Sequence, residues 1–141
     1  VSLSIHDHAA LYIPEDVAVP LSAIAQLVDA LPGYEAQYGA AIFAFGHAGD
    51  GNIHLNITTQ QPERRPEVME GVRALLQLVL SLGGTISGEH GIGLAKREFV
   101  AMELSPSSIK LQKGIKTLFD PNHILNPGKI FVDQPQEPVG A

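Results

Sequence analysis

Residues 46–56 read GHAGDGNIHLN. An apolar run, AAIFAF at residues 40–45, precedes them, and apolar and polar residues alternate in NIHLNITT at residues 52–59. The Asp50-Gly51 step at the centre of this run is typical of a two-residue type I′ turn. The sequence therefore predicts a β-hairpin whose strands are residues 40–47 and 52–59.

The turn also predicts which side chains share a face of the hairpin. A two-residue connection places His47 opposite His54 and Phe45 opposite Asn56. Opposed residues have Cβ atoms ~4.5–5.5 Å apart, close enough for two imidazoles to share one metal ion. A slip of one residue would put the histidines on opposite faces, so this expectation depends on the turn. Strand alternation predicts a core face of Ala44, Gly46, Ile53, Leu55 and Ile57, and an open face of Phe43, Phe45, His47, His54 and Asn56.

The segments that flank the hairpin alternate between strand and helix patterns. Residues 12–19 are predicted to form a strand, and Pro20 would open a helix that Pro32-Gly33 stops. A second helix is predicted within residues 62–82, followed by a short strand at residues 85–87. The predicted buried stripes contain Leu21, Ile24, Val28 and Leu31 in the first helix, and Val68, Val72, Leu75, Leu76 and Val79 in the second.

A third helix is predicted at about residues 106–119, with Ser105 as its N-cap. Its residues expected to be buried are Leu111, Ile115, Leu118 and Phe119. The order β-α-β-β-α-β is that of the ferredoxin-like split βαβ sheet. We therefore expect an α+β fold with helices on one face of the sheet, plus a C-terminal helix and an extended segment. Residues 1–133 would form one domain and residues 134–141 a flexible tail.

Composition excludes several classes of function. The 141 residues carry a formal charge of −6 and no cysteine, which excludes disulfides, thiolate nucleophiles and cysteine-based metal sites. No apolar run approaches the ~20 residues of a membrane span. A general nucleic-acid surface is not expected, because such surfaces are usually basic. Six of the nine basic residues fall between positions 96 and 129, where a solvated helix surface is favoured over an anion-binding face.

A second motif, GGTISGEHGIG at residues 83–93, contains a Glu-His pair among five glycines. The glycines indicate a closely approached backbone or left-handed conformations. With His47 and His54, Glu89 would complete a site of two histidines and one carboxylate. That set suits a catalytic Zn²⁺ or Mn²⁺, and equally a non-haem iron. Since adjacent residues on an extended chain diverge, His90 would point elsewhere and be free to act as a base.

A third motif, LFDPNHILNPGKIF at residues 118–131, contains two X-Pro steps that fix an extended path. Taken alone it is typical of a rigid connector, in which His123 is a loop residue rather than a ligand. His6 and His8, near the start of the chain, would at most bind metal adventitiously.

Together, GHAGDGNIHLN, ISGEHGIG, LNPGKIF and EDVAVPLSAI at residues 15–24 resemble the C-terminal substrate domain of FAD-linked 2-hydroxyacid dehydrogenases. This family contains D-lactate dehydrogenase, D-2-hydroxyglutarate dehydrogenase and the flavoproteins of the glycolate oxidase type. The resemblance covers roughly residues 12–132. It implies His47, His54 and Glu89 as metal ligands, Asn56 as a substrate contact, His90 as the catalytic base beside the flavin, and Asn126 as a further cofactor contact.

The resemblance also implies a reaction and its cofactors. A D-2-hydroxy acid of the lactate, glycolate or 2-hydroxyglutarate type would be chelated by a divalent metal and oxidised to the 2-oxo acid. The metal would be Zn²⁺, with Mn²⁺ and Fe²⁺ as alternatives, and the hydride would go to FAD. FAD would be bound mainly by an N-terminal domain of the parent protein. This chain would then be a fragment that folds but is inactive alone, with an apolar patch including Phe43 and Phe45 where the flavin domain covers it.

Further partners are implied in the same way. The electron acceptor would be a quinone, an electron-transfer flavoprotein or a cytochrome, and a homodimer is kept open. Neither nucleic acid nor a membrane span is expected, and the protein would be cytoplasmic or peripheral at the inner membrane.

Two other classes of function compete with this interpretation. One is a flavin-free 2-His-1-carboxylate metalloenzyme, either an oxygenase or a zinc hydrolase, which O₂ consumption with a 2-oxoacid would favour. The other is a non-catalytic ferredoxin-like ligand-binding module, which failure to bind any divalent metal would favour.

Overall fold

The computed structural model describes residues 2–6 and 9–131. Three antiparallel strands form one sheet in the order β1-β3-β2: β1 (Leu11–Ala18), β2 (Ala41–His47) and β3 (Asn52–Thr59). The helices are α1 (Ser2–His6), α2 (Ile24–Tyr38), α3 (Arg65–Ser81), α4 (Val100–Glu103) and α5 (Pro106–Phe119), with 3₁₀ turns at Leu21–Ala23, Pro62–Arg64 and Arg97–Phe99. The fold is α+β, as predicted. The chain divides into two compact units, the first ending at His90 and the second beginning at Gly91.

The sheet of the first unit has one core face and one open face. Ile53, Leu55 and Ile57 of β3 are buried on the core face, where Leu55 pairs with the buried Glu15 of β1. One small interior space is lined by residues of both helices and the sheet. They are Tyr34 and Tyr38 of α2, Ile42 and Ile57 of the sheet, and Val68, Val72 and Leu75 of α3. Both helices therefore cover this face, as predicted. Ala44 and Gly46, expected to be core, are exposed on the edge strand β2.

The hairpin register differs from the predicted one by two residues. His47 pairs with Asn52 and Phe45 with His54, so the connection is four residues, 48–51, rather than two. The N–H groups of Asp50 and Gly51 both donate to the His47 carbonyl, at 3.2 and 3.1 Å, which closes this wider turn. Because the shift is an even number of residues, His47 and His54 still share the open face.

Helix α2 continues through Pro32-Gly33, where the sequence predicted its end. It ends instead at Gly39, whose φ of +64° is the left-handed conformation of a helix C-cap. The predicted stripe was also wrong in part: Leu27 and Leu31 are buried, whereas Leu21 and Val28 are exposed. The extra turn packs on α3, with the Tyr34 hydroxyl donating to the Ala74 carbonyl at 3.4 Å. Packing against a neighbouring helix therefore outweighs the local helix-stop signal.

Helix α3 matches its prediction, with the whole expected stripe buried. The short strand predicted at residues 85–87 is reduced to a single antiparallel bridge between Thr85 and Ala18. This bridge lies at the outer edge of β1, the position of the fourth strand in a ferredoxin-like sheet. The Gly88 N–H donates to the Asp16 carbonyl at 3.2 Å, which holds the start of the following loop against β1.

In the second unit, α5 has the predicted bounds and the predicted cap. The Ser105 hydroxyl accepts a hydrogen bond from the Ser108 N–H at 3.2 Å. Its apolar stripe is not buried as expected. The exposed members are Leu111, Ile115, Leu118 and Phe119. The predicted extent of the domain, residues 1–133, stays a prediction, and the predicted tail at 134–141 lies outside the described residues.

Across residues 2–6 and 9–131, no helix combines the length and the apolarity needed to cross a membrane.

Candidate metal centre

The three predicted metal ligands lie together at one end of the open face. His47 ends β2, His54 lies on β3, and Glu89 lies in the loop that follows the Thr85 bridge. One ligand atom from each side chain lies within 4.8 Å of the other two. His54 Nε2 is 3.5 Å from Glu89 Oε1, and the two imidazole rings are 5.8 Å apart and nearly perpendicular.

This arrangement fits a divalent metal after a small contraction. Ligand atoms bound at ~2.0–2.2 Å to one ion can be at most about 4.4 Å apart, and are closer in a tetrahedral site. The His54–Glu89 distance already lies in that range. His47 and Glu89 are both exposed, so their side chains can move closer to His54. Two imidazoles and one carboxylate leave coordination positions for a small molecule, as in catalytic sites.

A buried carboxylate, which the sequence did not single out as a site residue, contacts this cluster. Asp16 on β1 is 4% exposed, and its Oδ1 lies 3.2 Å from His54 Nδ1. Its Oδ2 accepts hydrogen bonds from the backbone N–H groups of Glu89 and His90, at 2.8 and 2.9 Å. The sequence signals are the acidic pair Glu15-Asp16 inside the strand LYIPEDVA and its place in the EDVAVPLSAI motif. Neither signal shows that Asp16 pairs with His54 on another strand.

The close approach of the loop to β1 explains one glycine of the GGTISGEHGIG motif. A Cβ on Gly88 would overlap Asn52 Oδ1 and lie 2.6 Å from Asp16 Oδ1. Any side chain there would push the loop away from Asp16 and move Glu89 with it. The expectation of a closely approached backbone is therefore correct at this glycine.

The sequence predicted that His90 points away from the metal ligands. In the structure it lies beside them. Its ring stacks on His54 with centroids 5.3 Å apart, and its Nε2 is 3.7 Å from Glu89 Oε1. Asp16, His54 and His90 form a second group whose ligand atoms approach within 4.8 Å. Asp16 Oδ2 accepts two backbone hydrogen bonds, so Asp16 would offer its other oxygen, Oδ1, to a metal in this second group. The His90 side chain is 66% exposed.

Asn56 lies on the same face as His54 but is buried. Its Oδ1 accepts a hydrogen bond of 2.7 Å from the Tyr12 hydroxyl, a partner on β1 that the sequence analysis did not identify. This bond fixes the orientation of the amide. Of the two residues predicted for the apolar patch, Phe43 is exposed and lines an open cavity of about 570 Å³. That a flavin domain covers this surface stays a prediction. Phe45 is half-buried, with its ring 5.4 Å from that of His54.

The other residues singled out in the sequence lie apart from the cluster or in the second unit. His6 is on α1, with its ring 5.2 Å from that of Tyr12, and His8 lies outside the described residues. His123 and Asn126 belong to an exposed loop of the second unit and have φ angles of +52° and +46°. The cofactor role of Asn126 stays a prediction.

Comparison with known proteins identifies the family to which this chain is similar. The chain matches the model of the C-terminal domain of FAD linked oxidases over residues 4–130. It is 40% identical over 131 residues to the glycolate oxidase subunit GlcD of Bacillus subtilis, covering 92% of this chain and 28% of that protein. It is 39% identical over 118 residues to a D-lactate dehydrogenase of Anaerostipes hadrus, covering 82% of this chain and 25% of that protein. It is 40% identical over 108 residues to a D-2-hydroxyglutarate dehydrogenase of Stutzerimonas stutzeri, covering 74% of this chain and 23% of that protein. The chain thus spans about a quarter of the length of these relatives.

Proposed function

Because the chain belongs to the family of FAD-linked oxidase C-terminal domains, we propose that it forms the substrate- and metal-binding part of an FAD-dependent oxidoreductase. The reaction is the oxidation of a D-2-hydroxy acid to the 2-oxo acid. The observation that carries the proposal is the cluster of His47, His54 and Glu89, with ligand atoms within 4.8 Å of one another and His90 beside them. The names of the three relatives support a substrate of the glycolate, lactate or 2-hydroxyglutarate type.

His47, His54 and Glu89 are the residues that would hold the metal, with Zn²⁺ preferred and Mn²⁺ or Fe²⁺ as alternatives. When bound, the metal supplies Lewis-acid chemistry that orients the hydroxy acid and eases loss of its hydroxyl proton. A dication with a single carboxylate ligand keeps a net positive charge, which favours an anionic substrate. The proposed substrate contact of Asn56 requires its amide, 2% exposed on the same face of the sheet, to become accessible when substrate binds.

His90 is the general base that removes the hydroxyl proton. Two features support this role: its imidazole is exposed, and its Nε2 is 3.7 Å from Glu89 Oε1, next to the proposed ligands. The hydrogen on C2 leaves with its bonding electron pair. The substrate therefore loses one proton to His90 and two electrons with the second hydrogen.

FAD supplies the acceptor for that electron pair and is held mainly by a flavin-binding domain of the parent protein. Asn126 of this chain contacts the cofactor. The final electron acceptor in this proposal would be a quinone, an electron-transfer flavoprotein or a cytochrome. Without the flavin domain the chain is expected to bind metal but not to turn over substrate.

The direct test uses the protein in which this chain is joined to its flavin domain. Anaerobic addition of D-lactate, D-2-hydroxyglutarate and glycolate should bleach the flavin absorbance for at least one acid. A chelator should abolish the bleaching, and added Zn²⁺ or Mn²⁺ should restore it. Bleaching that chelators leave unchanged would remove the metal from the mechanism. Turnover without any flavin would instead favour a flavin-free metalloenzyme.

The role of His90 is tested separately. His90→Ala should slow flavin reduction by ~10²–10⁴-fold, the usual range for loss of a general base, while the metal content stays unchanged. His123→Asn is the matched control, because it replaces an exposed histidine outside the cluster with a residue that tolerates a positive φ. A rate in His90→Ala equal to that of His123→Asn would assign the base to another residue.

A further inference from the structure

We propose that Asp16 is the positioning residue of this metal site: its carboxylate selects the tautomer of His54 and fixes the backbone that carries Glu89 and His90. The inference rests on the proposed function, since it assigns a role within the same site. Asp16 would not touch the metal or the substrate. It would act through three residues that do.

The first contact concerns the ring of His54. Asp16 Oδ1 lies 3.2 Å from His54 Nδ1, and an ionised carboxylate can only accept hydrogen bonds. The proposal therefore places the proton of a neutral His54 on Nδ1, where it faces the carboxylate oxygen in place of a lone pair. That leaves a lone pair on Nε2, which is the nitrogen 3.5 Å from Glu89 Oε1. A carboxylate that orients a metal-binding imidazole in this way is a recurring feature of metal sites.

The second contact concerns the loop that carries the other two residues. Asp16 Oδ2 accepts hydrogen bonds from the backbone N–H groups of Glu89 and His90, with N–O distances of 2.8 and 2.9 Å. The two oxygens of one carboxylate therefore set the ring of one ligand and the backbone of another. Asp16 itself is held by strand pairing with His54 and is 4% exposed, so water competes little for these bonds.

An amide at position 16 could not make both contacts, although it has the same shape. Asn has one accepting oxygen and one donating NH₂ group. If its oxygen faces the loop, the NH₂ group faces His54 Nδ1 and stabilises the tautomer with the proton on Nε2, which blocks metal binding there. If its oxygen faces His54, the NH₂ group opposes two backbone donors and the loop moves.

The test compares Asp16→Asn with Asp50→Asn in the full 141-residue chain. Asp50 is the matched control, because its Oδ1 accepts the Asn52 N–H at 3.1 Å and an amide oxygen can do the same. Competition with a chelator should show that Asp16→Asn weakens Zn²⁺ binding by ~10–100-fold, the range for lost partners of metal ligands. Asp50→Asn should bind Zn²⁺ like the unchanged chain. Equal affinities in both variants would overturn the proposal.

A second measurement does not depend on a variant that folds. Nitrogen-15 NMR of the unchanged chain loaded with Zn²⁺ should show His54 coordinated through Nε2 with a proton on Nδ1. Coordination through Nδ1 would overturn the proposal. If the unchanged chain binds no Zn²⁺, Mn²⁺ or Fe²⁺, the proposed metal site fails. The role of Asp16 can then still be tested in the metal-free chain, from the tautomer of neutral His54. A proton on Nε2 would refute the proposed role of Asp16.

Discussion

At the end of α5, the carboxylate of Asp120 organises the loop that follows. It accepts hydrogen bonds from the Lys116 ammonium and from the backbone N–H groups of Ile124 and Leu125. The two backbone hydrogen bonds are each 3.0 Å long. The hydrogen bond from Lys116 is the main reason that the pKa of Asp120 lies below its ordinary value, with the two backbone bonds adding to it and burial opposing them. The charged carboxylate is therefore the form that the folded loop requires.

We expect this loop to loosen in acid. Because the pKa of Asp120 is lower in the folded state than in the unfolded state, the unfolded state binds more protons between the two values. The stabilisation is complete above the ordinary carboxyl pKa of 3.8 and is lost as the pH falls through the lower, folded value. The amide NMR signals of Ile124 and Leu125 should move together with a midpoint below 3.8. In Asp120→Asn this transition should be absent; if it persists, another group causes it.

The metal cluster shows how far single residues can be predicted from sequence. His47 and His54 were assigned to one face from a turn of the wrong length, and the assignment held because the error was two residues. Asp16 could not be found in this way, since its partner His54 is 38 positions away and on another strand. Alternation within a strand is a local property, whereas pairing between β1 and β3 is a property of the folded sheet.

At the scale of single elements, α2 shows where local signals lose to packing. Pro32-Gly33 has the sequence of a helix end, yet the helix continues to Tyr38 because its last turn contacts α3. Leaving that contact unmade would expose the rings of Tyr34 and Tyr38, which stack with centroids 6.2 Å apart. Burial also raises the pKa of Tyr34, with Tyr38 contributing. The predicted helix end at Pro32-Gly33 was wrong, because the energetic weight of such a signal depends on a packing partner that the local sequence does not reveal.

Two helix glycines give a test of this packing. Gly33 in α2 has no heavy atom within 4 Å of an added Cβ, so Gly33→Ala should stabilise the fold by about 0.5–1 kcal/mol. Gly71 in α3 faces the Tyr38 ring, where the added Cβ would be 2.8 Å from Cγ, so Gly71→Ala should be destabilising. Urea unfolding of both variants measures the two changes. A gain in both would mean that the last turn of α2 does not pack on α3.

At the scale of the whole molecule, apolar burial is distributed unevenly between the two units. The core of the first unit was predictable, because the apolar face of α3 packs on the sheet and the apolar face of β3 packs on the helices. The stripe of α5 was not, since an amphipathic pattern shows that a helix has an apolar face but not which surface will cover it. Only the sheet register and the packing of neighbours decide that. The same limit applies to the exposed edge strand β2.

The second unit offers a matched pair of phenylalanines that tests this uneven burial. Phe99 is 1% exposed, and Phe119, at the end of α5, is 78% exposed. Phe99→Ala should therefore cost about 3–5 kcal/mol, because it removes buried apolar area and leaves a cavity. Phe119→Ala should change the free energy of unfolding by no more than about 0.5 kcal/mol, since the ring already contacts water. Urea unfolding followed by helical circular dichroism measures both values in the same unit. A loss in Phe119→Ala as large as that in Phe99→Ala would place the α5 stripe inside a core, as the sequence pattern alone predicts.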